Sequence, residues 1–186
     1  ESPPDSVSLE ISEFVHIPDS AFLMALVAKG VDAYNDHQIS YEEDAATTRL
    51  QIDDRGIHDM TGIEAFVNLK VLLCRKNELG NLDISKNVLL TDLDCSENLL
   101  SSLNASHNPD LETLNCRENQ LVNLDVTKNF DLQSLDCQRN QMAELNVTSN
   151  YQLKELHCGR NLLSSLSLCS NGHLWKLSLD SMQSLD

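Results

Sequence analysis

Residues 69–173 read as five consecutive segments: LKVLLCRKNELGNLDISKNVL (69–89), LTDLDCSENLLSSLNASHNPD (90–110), LETLNCRENQLVNLDVTKNFD (111–131), LQSLDCQRNQMAELNVTSNYQ (132–152) and LKELHCGRNLLSSLSLCSNGH (153–173). Each is 21 residues long, without insertion or deletion. The shared unit is L-x-x-L-x-C-x-x-N-x-[LM]-x-x-L-x-[IVAL]-[STC]-x-N, and a partial copy starts at Leu174. An imperfect copy precedes them, with Leu50, Ile52, Ile57, Met60 and Ile63 in the apolar slots. A fixed period of this size marks stacked units, each of which buries its apolar face only against its neighbours. Within each L-x-C triplet the period of two points Leu72, Leu93, Leu114, Leu135 and Leu156 inward together with Cys74, Cys95, Cys116, Cys137 and Cys158. That is one short strand per unit, and strands about 4.8 Å apart stack into a parallel sheet. The second half of the unit, such as Leu124-Asp125-Val126, repeats the alternation on the opposite wall. Little room is left there for a helix, so extended or turn-like structure is expected.

Two asparagine columns accompany the strands. Asn77, Asn98, Asn119, Asn140 and Asn161 follow each strand where the chain must turn inward, and Asn87, Asn108, Asn129, Asn150 and Asn171 end each unit. An amide both donates and accepts, so each column is expected to satisfy backbone groups that a buried turn leaves unpaired. The six cysteines form no disulfide framework on this reading. In-register side chains about 4.8 Å apart are too far and too parallel for an S–S bond, and stacked thiols do not make a zinc tetrahedron. Five therefore form a buried column of small apolar groups. Cys169 lies off that column, in the slot of Ser85, Ser106, Thr127 and Thr148, and is the candidate reactive thiol.

Composition agrees with one solenoid and a cover. Of 32 leucines, 28 follow residue 68, which places the core in the repeats. Lys+Arg 13 against Asp+Glu 29 gives a net charge of −16, which repels phosphate backbones and anionic lipid, so nucleic acid is not an expected partner. No apolar run reaches the roughly 18 residues of a membrane span, so direct membrane insertion is not expected either. The opening ESPPDSV lacks the charged start and apolar stretch of a signal peptide, which is expected to be absent or already removed.

The chain divides into a tail (1–16), a cap (17–49) and the repeat domain (50–186). A stack needs its first unit covered, because an open end exposes core and strand edge. In IPDSAFLMALVAKG, Asp19 as N-cap, the apolar Phe22, Leu23, Leu26 and Val27, and the stop at Gly30 describe a short helix. Ser40-Tyr41-Glu42-Glu43 is a capping box that starts a second. Between them, DAYNDHQISYEE (32–43) has the outline of a 12-residue calcium loop. Asp32, Asp36, Gln38 (through its carbonyl), Ser40 and Glu43 fall on ligand positions, while Tyr34 and His37 replace an oxygen ligand and the turn glycine. Calcium is the one candidate cofactor, at a degenerate loop. Val7, Leu9 and Ile11 alternate in the tail as a candidate edge strand.

The repeat unit, with Cys in its third apolar slot, resembles bacterial leucine-rich-repeat proteins of the cysteine-ladder internalin type. The passage from IPDSAF through DAYNDHQISYEE to GIHDMTGIEAFVNL is similar to secreted repeat proteins of anaerobic Gram-negative bacteria. The likeness covers residues 17 to about 180. It implies a leucine-rich-repeat solenoid: a right-handed superhelix with a parallel β-sheet on the concave face, a short extended or turn-like convex side and a small α-helical N-terminal cap. It also implies export to the periplasm or cell surface and recognition of a protein or glycan without catalysis.

The outward strand positions are the candidate recognition surface. One column reads Leu73, Asp94, Asn115, Asp136, His157 and Ser178, flanked by the column containing Asp92 and by Arg75, Ser96, Arg117 and Gln138. Further out lie Lys76, Glu97, Glu118, Arg139 and Arg160. The candidate ligand contacts are Asp92, Asp94, Asn115, Arg117, Asp136, Arg139, His157 and Arg160, an acidic stripe beside a partly basic one. Phe130 and Tyr151 occupy one slot in adjacent units, with Trp175 nearby. No G-x-S-x-G, H-E-x-x-H or glycine-rich phosphate loop occurs, and the histidines are scattered, so no enzyme is expected. His157 and Asp136 stand side by side in neighbouring units, where a hydrogen-bonded pair could form, but no nucleophile accompanies them. The apolar spacing Leu174, Leu177, Leu179, Met182 and Leu185 suits an open strand edge, and hence a homodimer or an assembly role as the alternative function.

Overall fold

The computed structural model describes residues 14–179. Seven three-residue strands form one parallel sheet in chain order: β1 (Arg49–Gln51), β2 (Val71–Leu73), β3 (Asp92–Asp94), β4 (Thr113–Asn115), β5 (Ser134–Asp136), β6 (Glu155–His157) and β7 (Lys176–Ser178). The register pairs Leu50 with Leu72, Leu72 with Leu93, and so on to Leu156 with Leu177, so each 21-residue unit is one coil of a leucine-rich-repeat solenoid. The central leucine of β2 to β6 is buried and its two neighbours are half-exposed, as the alternation requires. The five ladder cysteines are buried and unbridged behind them.

The parallel bonding continues past each strand, from Cys74 N–H to the Asp94 carbonyl (2.8 Å) and from Lys76 N–H to that of Ser96 (2.9 Å). Then the chain turns. Asp54, Lys76, Glu97, Glu118, Arg139 and Arg160 hold left-handed φ between 53° and 56°, a conformation that a side chain with a Cβ disfavours. Nothing in the sequence marks this column, since none of the six is Gly or Asn. In the five regular coils the next residue, an asparagine, secures it. Asn119 donates through Nδ2 to the Cys95 and Cys116 carbonyls (3.0 and 3.1 Å), and its Oδ1 accepts Leu100 N–H (2.9 Å); its counterparts in the other coils do the same.

The second asparagine column follows only half of the expectation. Each Nδ2 links two coils, as when Asn129 donates to the carbonyls of Ala105 (3.0 Å) and Asn108 (2.8 Å). Each Oδ1, from Asn87 to Asn171, is buried without a partner among the described residues. The donor alone is used, because the backbone N–H groups of that turn are already bonded, as Asn129 N–H is to the Val126 carbonyl (3.1 Å) and Leu132 N–H to that of Asn129 (3.2 Å). The convex side is extended and turn-like, with one bridge between Asp125 and Asn146 and a single 3-10 turn, Ile63–Ala65, in the first coil.

The cap holds α1 (Ser20–Ala28) and α2 (Tyr41–Ala46). Phe22, Ala25 and Leu26 bury against the first coil, and Ser40 and Glu43 form the capping box. Residues 14–16, assigned to the tail by sequence, sit on the cap instead: Phe14 bridges Ser40, and Val15 N–H donates to the Ile39 carbonyl at 2.7 Å. The segment passes so close to Gly62 (φ 105°) that a Cβ there would lie 2.9 Å from the His16 carbonyl and 2.8 Å from Ile17. At the other end Leu177 is 41% exposed where Leu156 is fully buried. The alternation at Val7, Leu9 and Ile11, and the apolar Met182 and Leu185, lie outside the described residues.

Candidate functional site

The sheet's outward side chains line a shallow hollow of about 320 Å³ whose walls include Asp92, Asp94, Asn115, Asp136, Glu155 and His157. Asp94, Asn115 and Asp136 stand in register on β3, β4 and β5, and each caps its own strand end. Asp94 accepts Ser96 N–H (3.0 Å), Asn115 accepts Arg117 N–H (3.2 Å) and Asp136 accepts Gln138 N–H (3.1 Å). Asp94 also accepts Asn115 Nδ2 (3.1 Å), which ties two coils together on the face. Burial pushes the Asp136 carboxyl above the usual aspartate range, with the Asp94 charge in support, against the Gln138 N–H, His157 and Arg117.

Five of the eight candidate contacts, Asp92, Asp94, Asn115, Asp136 and His157, line this hollow. The arginines of the basic stripe are engaged elsewhere. Arg117 Nη2 lies 2.8 Å and Arg139 Nε 3.3 Å from the same Glu118 oxygen, and Arg75 pairs with Glu97. Arg160 is exposed and takes no ion pair among the described residues. The face is therefore acidic on its floor and neutralised along its edge, rather than striped with both signs. The bond between His157 and Asp136 does not form. His157 Nε2 lies 3.7 Å from Glu155, which also meets Lys176 (3.1 Å), because residues two apart on one strand share a face.

The cap loop keeps the turn of a calcium loop and uses its carboxylates on its own backbone. His37 takes φ 61° at the glycine position. Asp32 accepts the N–H groups of Asp36 (3.1 Å) and His37 (3.0 Å), and Asp36 accepts that of Gln38 (2.9 Å). Glu43 accepts from Ala33 N–H (2.7 Å) and Tyr34 N–H (3.1 Å) on one oxygen and from Ser40 N–H (2.9 Å) and Oγ–H (2.8 Å) on the other. Burial opposes the Glu43 charge, yet these donors outweigh it and hold the carboxyl below its ordinary value. Four donors leave that carboxylate poorly suited to chelate a cation, and among the described residues no group of three His, Cys, Asp or Glu side chains is placed to hold a metal. Asp32, Asp36, Gln38, Ser40 and Glu43 do not fit calcium in this arrangement.

Cys169 is exposed, and a hydrogen bond from Ser167 Oγ–H, with Ser170 beside it, draws its thiol below the usual value. Burial pushes the ladder thiols the other way, Cys95 up to about 12. Sequence reasoning missed the second role of Asp19, whose other oxygen reaches the first coil, and missed Asp44, which is buried in α2 with Oδ2 lacking a partner among the described residues. Asp19 carried a signal only as an N-cap, and Asp44 carried none.

No protein-family model and no curated protein sequence matches this chain. Solved structures do. The functional domain of InlJ from Listeria monocytogenes, which includes a cysteine ladder, is 30% identical with a TM-score of 0.64 over 87% of this chain and 47% of that one. A leucine-rich-repeat protein from Leptospira interrogans is 30% identical with a TM-score of 0.60 over 63% of this chain and 33% of its own length. Internalin C2 from Listeria monocytogenes, at 19% identity, shares the fold with a TM-score of 0.66 over 93% of this chain and 88% of that one. The chain thus spans about half the length of the InlJ domain. With its stacked 21-residue coils, buried cysteine ladder and asparagine columns, it has the leucine-rich-repeat fold and is similar to the internalins.

Proposed function

We propose that this chain is a non-catalytic recognition module, exported to the periplasm or cell surface, that binds a protein through the concave face of its sheet. The observation that carries this reading is the acidic floor of the hollow, Asp92, Asp94, Asp136 and Glu155, beside arginines already paired to Glu97 and Glu118. Such a floor favours a partner segment bearing Lys or Arg, whose guanidinium or ammonium replaces the water around Asp94 and Asp136. The likeness to internalins supports recognition as the class of activity, and no described helix is long and apolar enough to cross a membrane. Adhesion is the physiological setting that fits export with recognition.

Capture of extracellular proteins by the labelled chain, compared with an Asp94→Asn/Asp136→Asn variant, tests this. Loss of a captured basic partner with unchanged melting supports the concave site; undiminished capture overturns it. An assembly role through the β7 edge is the second reading, favoured by the exposure of Leu177. It predicts sensitivity of oligomeric state to Leu177→Glu and indifference to the two aspartates.

A further inference from the structure

One slot of the repeat, on the turn that leads into each strand, stays exposed throughout the stack. It holds Val67, Val88, Pro109, Phe130 and Tyr151, with Phe130 and Tyr151 more than half exposed in adjacent coils. In the following coil the slot is Gly172, whose φ is ordinary and whose absent Cβ would meet nothing within 4 Å. Just beyond, Trp175 is 69% exposed, and its backbone N–H donates to the Lys154 carbonyl of the coil below at 3.0 Å. The ridge thus drops to a side-chain-free notch at Gly172 with Tyr151 before it and Trp175 after it. The surrounding polar groups are Gln133, Gln152, Lys128 and Lys154, with carboxylates at Asp110, Asp131 and Glu112, the last accepting Gln133 Nε2 at 2.9 Å.

We infer that the Phe130–Tyr151–Gly172–Trp175 ridge is a carbohydrate-binding strip for an extended oligosaccharide, separate from the concave face. Aromatic rings present a negative face, which suits the C–H groups on one side of a pyranose ring. Amide side chains both donate and accept, as sugar hydroxyls require; Gln133 is fixed between Lys154 Nζ (2.7 Å) and Glu112 (2.9 Å), which leaves Gln152 as the amide free to meet a hydroxyl. The coils repeat at the strand spacing of about 4.8 Å, close to the advance of one sugar in an extended chain, so successive sugars stay in register with successive coils. The notch seats one ring edge-on against backbone, where a side chain in that slot would exclude it. A contiguous exposed apolar strip of this kind on a soluble surface marks an interaction site.

Trp175 is the single tryptophan, so its fluorescence reports on the site directly. The full chain is titrated with chito-, cello-, manno- and xylo-oligosaccharides of four to six sugars and, separately, with a proline-rich peptide. The expected result is a saturable change in Trp175 emission with one oligosaccharide class. Tyr151→Ala weakens it about tenfold, the factor equivalent to about 1.4 kcal/mol. Gly172→Leu, which fills open space without backbone strain, abolishes it, and Asp94→Asn/Asp136→Asn leaves it unchanged. No emission change with any sugar class, or a change that survives Gly172→Leu, overturns the assignment. A response to the peptide alone overturns it as well.

Discussion

Asp19 Oδ2 accepts the backbone N–H of His58 at 2.9 Å, while its Oδ1 caps α1 through the N–H groups of Ala21 (2.8 Å) and Phe22 (3.0 Å). One carboxylate therefore starts the cap helix and fastens it to the first coil, where Asp59 N–H adds a fourth bond (3.0 Å). Burial works against the charge, but the donors of Phe22, His58, Asp59 and Ala21 prevail and lower the carboxyl below the ordinary aspartate range. A lowered acid contributes stability that is complete above the unfolded value and disappears as pH falls through the folded one. Asp19→Ala is expected to cost about 1–2 kcal/mol in urea unfolding near neutrality. The difference from wild type should vanish in strong acid. An equal difference at all pH values would falsify the bridging role.

The two asparagine columns are expected to differ in cost. Asn119→Ala strips partners from Leu100 N–H and from two cysteine carbonyls, for about 2–4 kcal/mol. Asn129→Ala removes only donors, since its Oδ1 has no partner, and should cost about 1–2 kcal/mol. Paired denaturant titrations decide the order.

Thiol reactivity separates the ladder from Cys169. The buried five have thiols pushed up by desolvation, and Cys169 alone is exposed with a lowered one. Ellman titration of the native protein should count one fast thiol, and all six after unfolding. Rapid modification of a second thiol in the native state would show that the coils open.

Asp44 makes the cap sensitive to pH in the opposite sense from Asp19. Burial raises its carboxyl from 3.8 to about 6. Between those values the native state holds a proton that the unfolded state has released, so stability falls as pH rises from about 4 through 6 and the full penalty applies above. Asp44→Asn should flatten that decline and raise Tm at pH 7 by about 2–4 °C, the shift that about 1 kcal/mol produces in a domain of this size. A scan of Tm against pH on both proteins tests it.

Calcium should leave Tm unchanged, because Glu43 already accepts four hydrogen bonds from its own loop. Glu43→Gln should lower Tm equally with calcium and with chelator. A calcium-dependent rise in the wild type would restore the loop as a metal site.

Most of the fold was readable because its information is local. Leu72, Cys74 and Asn77 recur at fixed spacing, and period two within a triplet already states which side chains go in. The same reading located Ser40 and Glu43 as a capping box, since its partners are three residues apart. It failed where partners are distant or where conformation is imposed. Lys76 and Glu97 are left-handed without being Gly or Asn, because the Asn77 and Asn98 bonds to the coil below hold the turn. His157 chose Glu155 over Asp136, a matter of rotamers on one face.

The sequence by itself determined the coil length, the parallel register, the buried leucine and cysteine columns and the two-helix cap, because a strict 21-residue period admits one way of burying its apolar set. Only the tertiary structure decided which charges cancel and which remain. Glu118 meets both Arg117 and Arg139, and Asp19 reaches His58. Those outcomes depend on distances across coils, and electrostatic and steric energies are set by separation in space rather than along the chain.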